Sequence, residues 1–267
     1  MIAEAADFRD QCAALAALLA PLPDADFRRE TQFKAWTLND IMAHLYMGDV
    51  NARMTLIDPA GFAAARAERQ AATAAGESRF DYQRRWSKGL EGQALVKAWR
   101  ASSAATADAY AAADPKQRVA WVGPDMSARS SITARLMETW SHSQAIYDLL
   151  GQVRQDTDSI RAICHLGAIT YGWTYQNRGV EPPGPPPHIR LTAPSGAIWE
   201  WHADRSGAGE TVSGPATAFA QVVAQTRNIA DVALAVEGPI ARDWMAKAQC
   251  FAGPPNDPPA PGTRFTQ

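Results

Sequence analysis

The chain has 267 residues, 46% of them hydrophobic and 20% charged, with 26 Lys and Arg against 28 Asp and Glu for a formal charge of −2. That balance belongs to an ordinary soluble globular protein and excludes wholesale disorder. With no long basic run, neither nucleic acid nor an anionic membrane is expected as a partner, because both demand a concentrated cationic surface.

The length exceeds the usual single-core size, so two domains are expected. The first ten residues carry acidic side chains and no basic flank before an apolar run, and the longest apolar stretch, 13–20, is too short to span a bilayer. A cytoplasmic location is expected. Cys12, Cys164 and Cys250 are far apart, odd in number and without CxxC spacing, which fits buried thiols in a reducing compartment.

Residues 3–22, rich in Ala and Leu, read as a helix stopped by Pro21 and Pro23. A second helix, 37–57, opens on Thr37 as N-cap with Asp40 three positions on, the spacing of a capping box. Residues 58–88 hold Ala, Arg and Gln without a strong apolar stripe and suit a long crossover containing a surface helix. Residues 91–113 read as the third core helix, 114–125 as a loop broken by Pro115, Gly123 and Pro124, and 130–150 as the fourth, with Gly151 as its C-cap. Four helices with one long connection form a bundle, and bundle interiors are where facing helices build metal sites.

Residues 158–178 read as a fifth helix ending at Gly179, and 181–187 are nearly all proline and glycine, a boundary or stiff connector. The period then changes to alternation. Residues 188–192 and 197–202 flank Pro194-Ser195-Gly196 as a hairpin, 210–213 give a third short strand, and 215–225 and 239–250 read as helices opened by proline. The expected fold class is α plus α+β: a four-helix bundle with a long crossover over 1–155, a connecting helix and Pro-rich linker over 156–187, a small α+β domain over 188–253, and an extended or loose tail over 254–267.

Three side chains carry the chemistry. His44 borders an apolar stripe of Ile41, Leu45, Gly48 and Ala52, while Glu138 and His142, one turn apart, border Ile132, Leu136, Trp140, Ile146 and Leu150. Two imidazoles and one carboxylate converging between helices would hold a divalent ion and leave positions open for water, a thiol or a substrate oxygen. Such a set accepts Zn first, and Ni, Mn or Fe as well. A Glu-x-x-x-His pair is also an ordinary i,i+4 hydrogen-bonding pair, so spacing by itself is a weak signal.

The run Ala35-Trp36-Thr37-Leu38-Asn39-Asp40-Ile41-Met42-Ala43-His44-Leu45, with Glu138-Thr139-Trp140-Ser141-His142 downstream, resembles the N-terminal domain of the mycothiol-dependent maleylpyruvate isomerase family, within the wider DinB-like metal-binding bundles. The resemblance covers about residues 1–155. The segments His165–Trp173, Asn177-Arg178-Gly179 and Ala248–Gly253 resemble a branch of this superfamily, distinct from the isomerase itself, that joins the bundle to a sterol-carrier-protein-like C-terminal domain. The resemblance implies that His44, Glu138 and His142 are metal ligands. It also implies a low-molecular-weight thiol as co-substrate, used for isomerisation of, or S-transfer to, a small unsaturated or electrophilic molecule.

Two other functions stay open. Metal-dependent hydrolysis would need a general base, for which Asp40 and Asp49 are nearest, although Asp40 is also the natural partner of Thr37. A non-catalytic metal- or ligand-binding protein is the other. Arg227 stands where the isomerase family has an arginine that could hold a carboxylate, or else complements a helix dipole. His165, Tyr171 and Arg178 could line a cleft, with a buried hydrogen-bonded histidine as the plainer reading of His165. Most of the nine tryptophans are expected in the core, with Trp36, Trp140 and Trp173 near the candidate pocket. The oligomeric state, monomer or homodimer, is open.

Overall fold

The computed structural model describes residues 2–121, 125–204 and 206–266; Gly123 and Pro124, read above as loop breakers, lie outside them. The chain divides into two compact units, 1–146 and 147–267.

The first unit is helical. α1 (Glu4–Leu19) is followed by a short 3-10 turn, Asp24–Arg28, and then by α2 (Leu38–Ile57). Thr37 opens α2: its hydroxyl accepts from the Asp40 N–H at 3.1 Å while the Asp40 carboxylate accepts from the Thr37 N–H at 2.9 Å. Two backbone donors that a helix start leaves orphaned are thereby satisfied. The crossover holds two helices rather than one, α3 (Pro59–Ala74) and α4 (Arg79–Trp86), capped by Asp58 and Ser78. α5 (Gly92–Ala112) and α6 (Ala128–Leu149) complete the bundle. Between them, where a loop was expected, β1 (Arg118–Val119) and β2 (Met126–Ser127) pair antiparallel.

Phe8, Leu15 and Leu19 of α1, Ile41 and Leu45 of α2, Leu95 and Trp99 of α5, and Ile132, Leu136 and Trp140 of α6 are buried together as the core of this unit. Each side chain so buried stabilises the fold by roughly 1.5–3 kcal/mol relative to exposure. Polar bonds tie α6 to its neighbours: Gln11 Nε2 donates to Ser143 Oγ at 3.4 Å, and the Tyr110 and Ser131 hydroxyls lie 2.8 Å apart.

The second unit is α+β. The helix expected over 158–178 is a 3-10 turn, Asp158–Ile160, then α7 (Arg161–Ile169) and α8 (Tyr171–Gln176). The break is at Thr170, at φ −92° and ψ 14°, whose hydroxyl donates to the carbonyls of Leu166 at 2.8 Å and Gly167 at 3.1 Å while its N–H keeps the Leu166 carbonyl at 3.1 Å. β3 (His188–Thr192) and β4 (Ile198–Trp201) form the hairpin, β5 (Thr211–Pro215) runs parallel to β3, and an unanticipated β6 (Ala235–Glu237) pairs with β5, in the order β4-β3-β5-β6.

Ile189, Leu191 and Val212 turn to one buried face, covered by α9 (Ala216–Val223) through Ala216, Phe219 and Val223. Gly167 lets α7 lie against α9, since a β-carbon there would stand 2.7 Å from Val223 Cγ2. The last helix is α10 (Pro239–Met245), shorter than the 239–250 expected.

The tail expected to be loose is strapped down: Asn256 N–H donates to Gln249 Oε1 at 2.9 Å, and Arg264 Nη1 to the Gln225 carbonyl at 2.8 Å. All three cysteines are free and buried. No helix of the described residues is long and apolar enough to cross a membrane.

Candidate metal centre

His44 projects from the second turn of α2, and Glu138 and His142 from successive turns of α6. The structure brings the three together: Glu138 Oε2 lies 3.0 Å from His44 Nε2 and 3.3 Å from His142 Nε2, and one ligand atom from each residue falls within 4.8 Å of the others. Donor atoms around a tetrahedral cation, each about 2.0–2.2 Å from it, stand about 3.3 Å from one another, so the spacing and the nitrogen–oxygen donor set fit a divalent ion. The side chains keep 18%, 22% and 11% of their surfaces exposed for His44, Glu138 and His142, mostly covered yet reachable from solvent.

An aromatic wall surrounds the imidazoles. Trp36 stacks on His142 at 5.5 Å with an interplanar angle of 11°, and Phe33 meets the same ring edge-on at 5.0 Å. Trp36 reaches this place because the turn before α2 is tightly wound. The Thr31 N–H and hydroxyl both donate to the Trp36 carbonyl, at 2.8 and 2.9 Å, and Lys34 and Ala35 sit at φ of 53° and 54°.

Burial and the neighbouring His142 push the His44 imidazole down to about 3, against the pull of Glu138. Burial works to raise the Glu138 carboxyl, but the hydrogen bonds from His142 and His44 outweigh it and hold the group well below the usual carboxylate range. Glu138 is therefore an ionised carboxylate beside a neutral His44 imidazole. His142 Nδ1 is buried and, among the described residues, has no hydrogen-bond partner.

Beneath the triad lies a buried ion pair. Arg135 Nε donates to Asp49 Oδ1 at 2.9 Å, Trp99 Nε1 donates to Asp49 Oδ2 at 2.9 Å, and Asp49 is wholly buried. Gly48 makes room for it, since a β-carbon there would stand 2.6 Å from Arg135 Nη1. Asp49 is thus occupied by α5 and α6 and Asp40 by Thr37, which leaves neither placed as the base that hydrolysis would need.

Sequence reasoning missed Arg79. From the first turn of α4, its Nη2 lies 2.7 Å from His44 Nδ1, and its guanidinium covers the Trp36 ring at 4.6 Å. The crossover lacks an apolar stripe, so nothing in its periodicity marked this side chain. Phe33 was missed for a like reason, because it sits in an irregular turn.

The residues proposed in the C-terminal half are engaged within the second unit. Arg227 holds Asp148 through Nη2 at 2.6 Å and Nη1 at 2.8 Å. The Tyr171 hydroxyl donates to the Gly184 carbonyl at 2.9 Å, and Arg178 donates to the Asn256 carbonyl at 2.7 Å. His165 Nδ1 accepts from Trp201 Nε1 at 3.1 Å on the surface, so it is not the buried histidine of the plainer reading. Trp173 Nε1 donates to the Phe251 carbonyl at 3.2 Å, and Trp140 is core.

Comparison with known proteins agrees with this architecture. Two Mycobacterium tuberculosis proteins described as uncharacterized, MT0041 of strain CDC 1551 / Oshkosh and Rv0036c of strain ATCC 25618 / H37Rv, are each 35% identical over 251 residues, covering 94% of this chain and 95% of theirs. The crystal structure of the mycothiol-dependent maleylpyruvate isomerase shares the fold with a TM-score of 0.51 at 18% identity, over 82% of this chain and 86% of that one. A mutant of that isomerase gives the same TM-score at 17% identity. The family model for the mycothiol maleylpyruvate isomerase N-terminal domain matches residues 8–147, more than half of the chain, and this protein belongs to that family.

Proposed function

We propose that this protein is a divalent-metal-dependent enzyme that uses a low-molecular-weight thiol, as an isomerase or S-transferase on a small unsaturated or electrophilic substrate. The observation that carries the reading is the convergence of His44 Nε2, His142 Nε2 and Glu138 Oε2 at 3.0 and 3.3 Å on a solvent-reachable face of the bundle. Family membership supports mycothiol as the thiol and an isomerase as the class. A divalent cation held by these three side chains, zinc first, would stabilise a thiolate or a developing oxyanion.

The chain's own residues set the rest of the chemistry. Glu138 supplies the negative charge that offsets the cation and orients both imidazoles. Trp36 and Phe33 form the apolar wall, excluding water from one side of the site and strengthening the electrostatics there. The thiol reading is favoured over hydrolysis because both nearby carboxylates, Asp40 and Asp49, already serve structural partners. The second unit, read as a sterol-carrier-protein-like domain, has no assigned step.

The test is metal content by elemental analysis, together with consumption of mycothiol in the presence of maleylpyruvate, for wild type and His44→Ala. Wild type is expected to carry about one equivalent of metal and the variant to lose most of it. Unchanged stoichiometry in the variant would remove the central ligand and the reading with it.

A further inference from the structure

His44 and His142 face the same oxygen of Glu138, but their far nitrogens differ. His142 Nδ1 has no hydrogen-bond partner among the described residues, so nothing on its far side fixes the ring proton. His44 Nδ1 faces the Arg79 guanidinium at 2.7 Å. A guanidinium offers only N–H donors and keeps its charge, so the nitrogen facing it must present a lone pair. The proton of a neutral His44 ring then sits on Nε2, donated to Glu138 Oε2 at 3.0 Å. That assignment follows from the partners on both sides of the ring.

A cation at the triad needs the same Nε2 lone pair. A metal-bound neutral imidazole carries its proton on the far nitrogen and gives it to an acceptor, most often a carboxylate or carbonyl. At His44 the far side is occupied by a donor, so contact with Arg79 and coordination through Nε2 exclude each other. Arg79 is exposed and, among the described residues, has no carboxylate within ion-pair distance; His44 and Trp36 are its direct contacts, and the Glu138 charge attracts it from farther off. The freed fork would remain on the open rim of the site, where a bidentate guanidinium suits a carboxylate.

We propose that Arg79 is a latch that exchanges partners: it holds His44 in the metal-refusing tautomer, is released when a divalent cation enters the triad, and then binds a carboxylate brought by the small-molecule ligand. The inference rests on the metal reading above.

The experiment has two arms, both on the full chain. Zinc affinity is measured by competition with a chelator for wild type, Arg79→Met and Arg79→Glu. Both variants are expected to bind zinc at least tenfold tighter, Arg79→Glu most, since its carboxylate can accept the His44 Nδ1 proton. The gain should persist in about 0.5 M sodium chloride, where the screening length falls to a few ångströms and mere removal of a positive charge counts for less. Unchanged or weaker zinc binding in both variants overturns the latch. Maleate is then titrated into the zinc-loaded proteins by calorimetry, with at least tenfold weaker binding expected for Arg79→Met; equal binding overturns the carboxylate role. Failure of the metal reading itself is distinguishable, because His44→Ala and wild type would then bind zinc alike.

Discussion

Arg227 grips Asp148 through two hydrogen bonds of 2.6 and 2.8 Å, with only 10% and 3% of the two side-chain surfaces exposed. Such a pair is costly to break from one side, because the remaining charge is stranded out of water. Arg227→Met is expected to lower stability by about 3–5 kcal/mol, and Arg227→Met with Asp148→Leu to recover most of that loss. Denaturant titration of the single and double variants decides the matter. Intact stability with lost thiol-dependent turnover would instead give Arg227 to a ligand.

Asp49 makes the corresponding prediction in the first unit. Asp49→Ala strands the Arg135 guanidinium, which is only 2% exposed, and removes the acceptor of Trp99 Nε1. The expected loss is again about 3–5 kcal/mol. Because Arg135 and Glu138 are three residues apart on α6, zinc affinity should also fall. A stable Asp49→Ala variant would refute the prediction.

The turn that delivers Trp36 holds Ala35 at φ 54°, on the surface. Left-handed backbone costs a non-glycine residue about 1–2 kcal/mol, partly offset in a glycine variant by the greater entropy of its unfolded chain. Ala35→Gly is therefore expected to raise stability by about 0.5–1 kcal/mol, read as a higher urea midpoint with an unchanged slope. Destabilisation would show that the turn takes another form in solution.

The second unit should carry a recognisable pH signature. Burial works to raise the Asp243 carboxyl, but the bonds from Lys247 and Tyr175, each 2.8 Å, bring it below its ordinary value; burial and then the bond to Asp243 push the Tyr175 phenol up. A carboxyl depressed by folding contributes stability above its unfolded value of about 3.9 and loses it as pH falls through the folded one; a raised phenol contributes below its unfolded value of about 10 and loses it as pH rises. Asp243→Ala should therefore flatten the stability profile at both ends, because it removes the carboxylate and the phenol's acceptor together. A parallel profile for wild type and variant would contradict this.

What could be read in the residues differs from element to element for physical reasons. The start of α2 was legible because Thr37 and Asp40 satisfy each other locally, and the end of α6 because Gly151, at φ 65°, stands two residues past Leu149. The approach of His44 to Glu138 and His142 could be anticipated because each borders an apolar stripe that must turn inward. Arg79 could not be, since its role depends on where a stripe-less crossover lays α4. The strands β1, β2 and β6 are two or three residues long, too short to show a period. The division of the fifth helix is a local change of backbone angle at Thr170 that leaves the apolar pattern intact, and the strapped tail depends on single polar bonds, such as Arg264 to the Gln225 carbonyl, that no periodicity marks.

The notch at Gly48 gives the first unit a way to be altered from a distance. One methyl group at that position acts as a wedge: it meets the Arg135 fork at 2.6 Å, so either the fork shifts within its bond to Asp49 or α2 moves away from α6. His44 is one turn from that wedge and Glu138 one turn from Arg135, so a shift of less than an ångström would be passed to a donor spacing with little tolerance. A variant intended to fill a small void would thereby detune the grip on a cation while leaving every ligand in place.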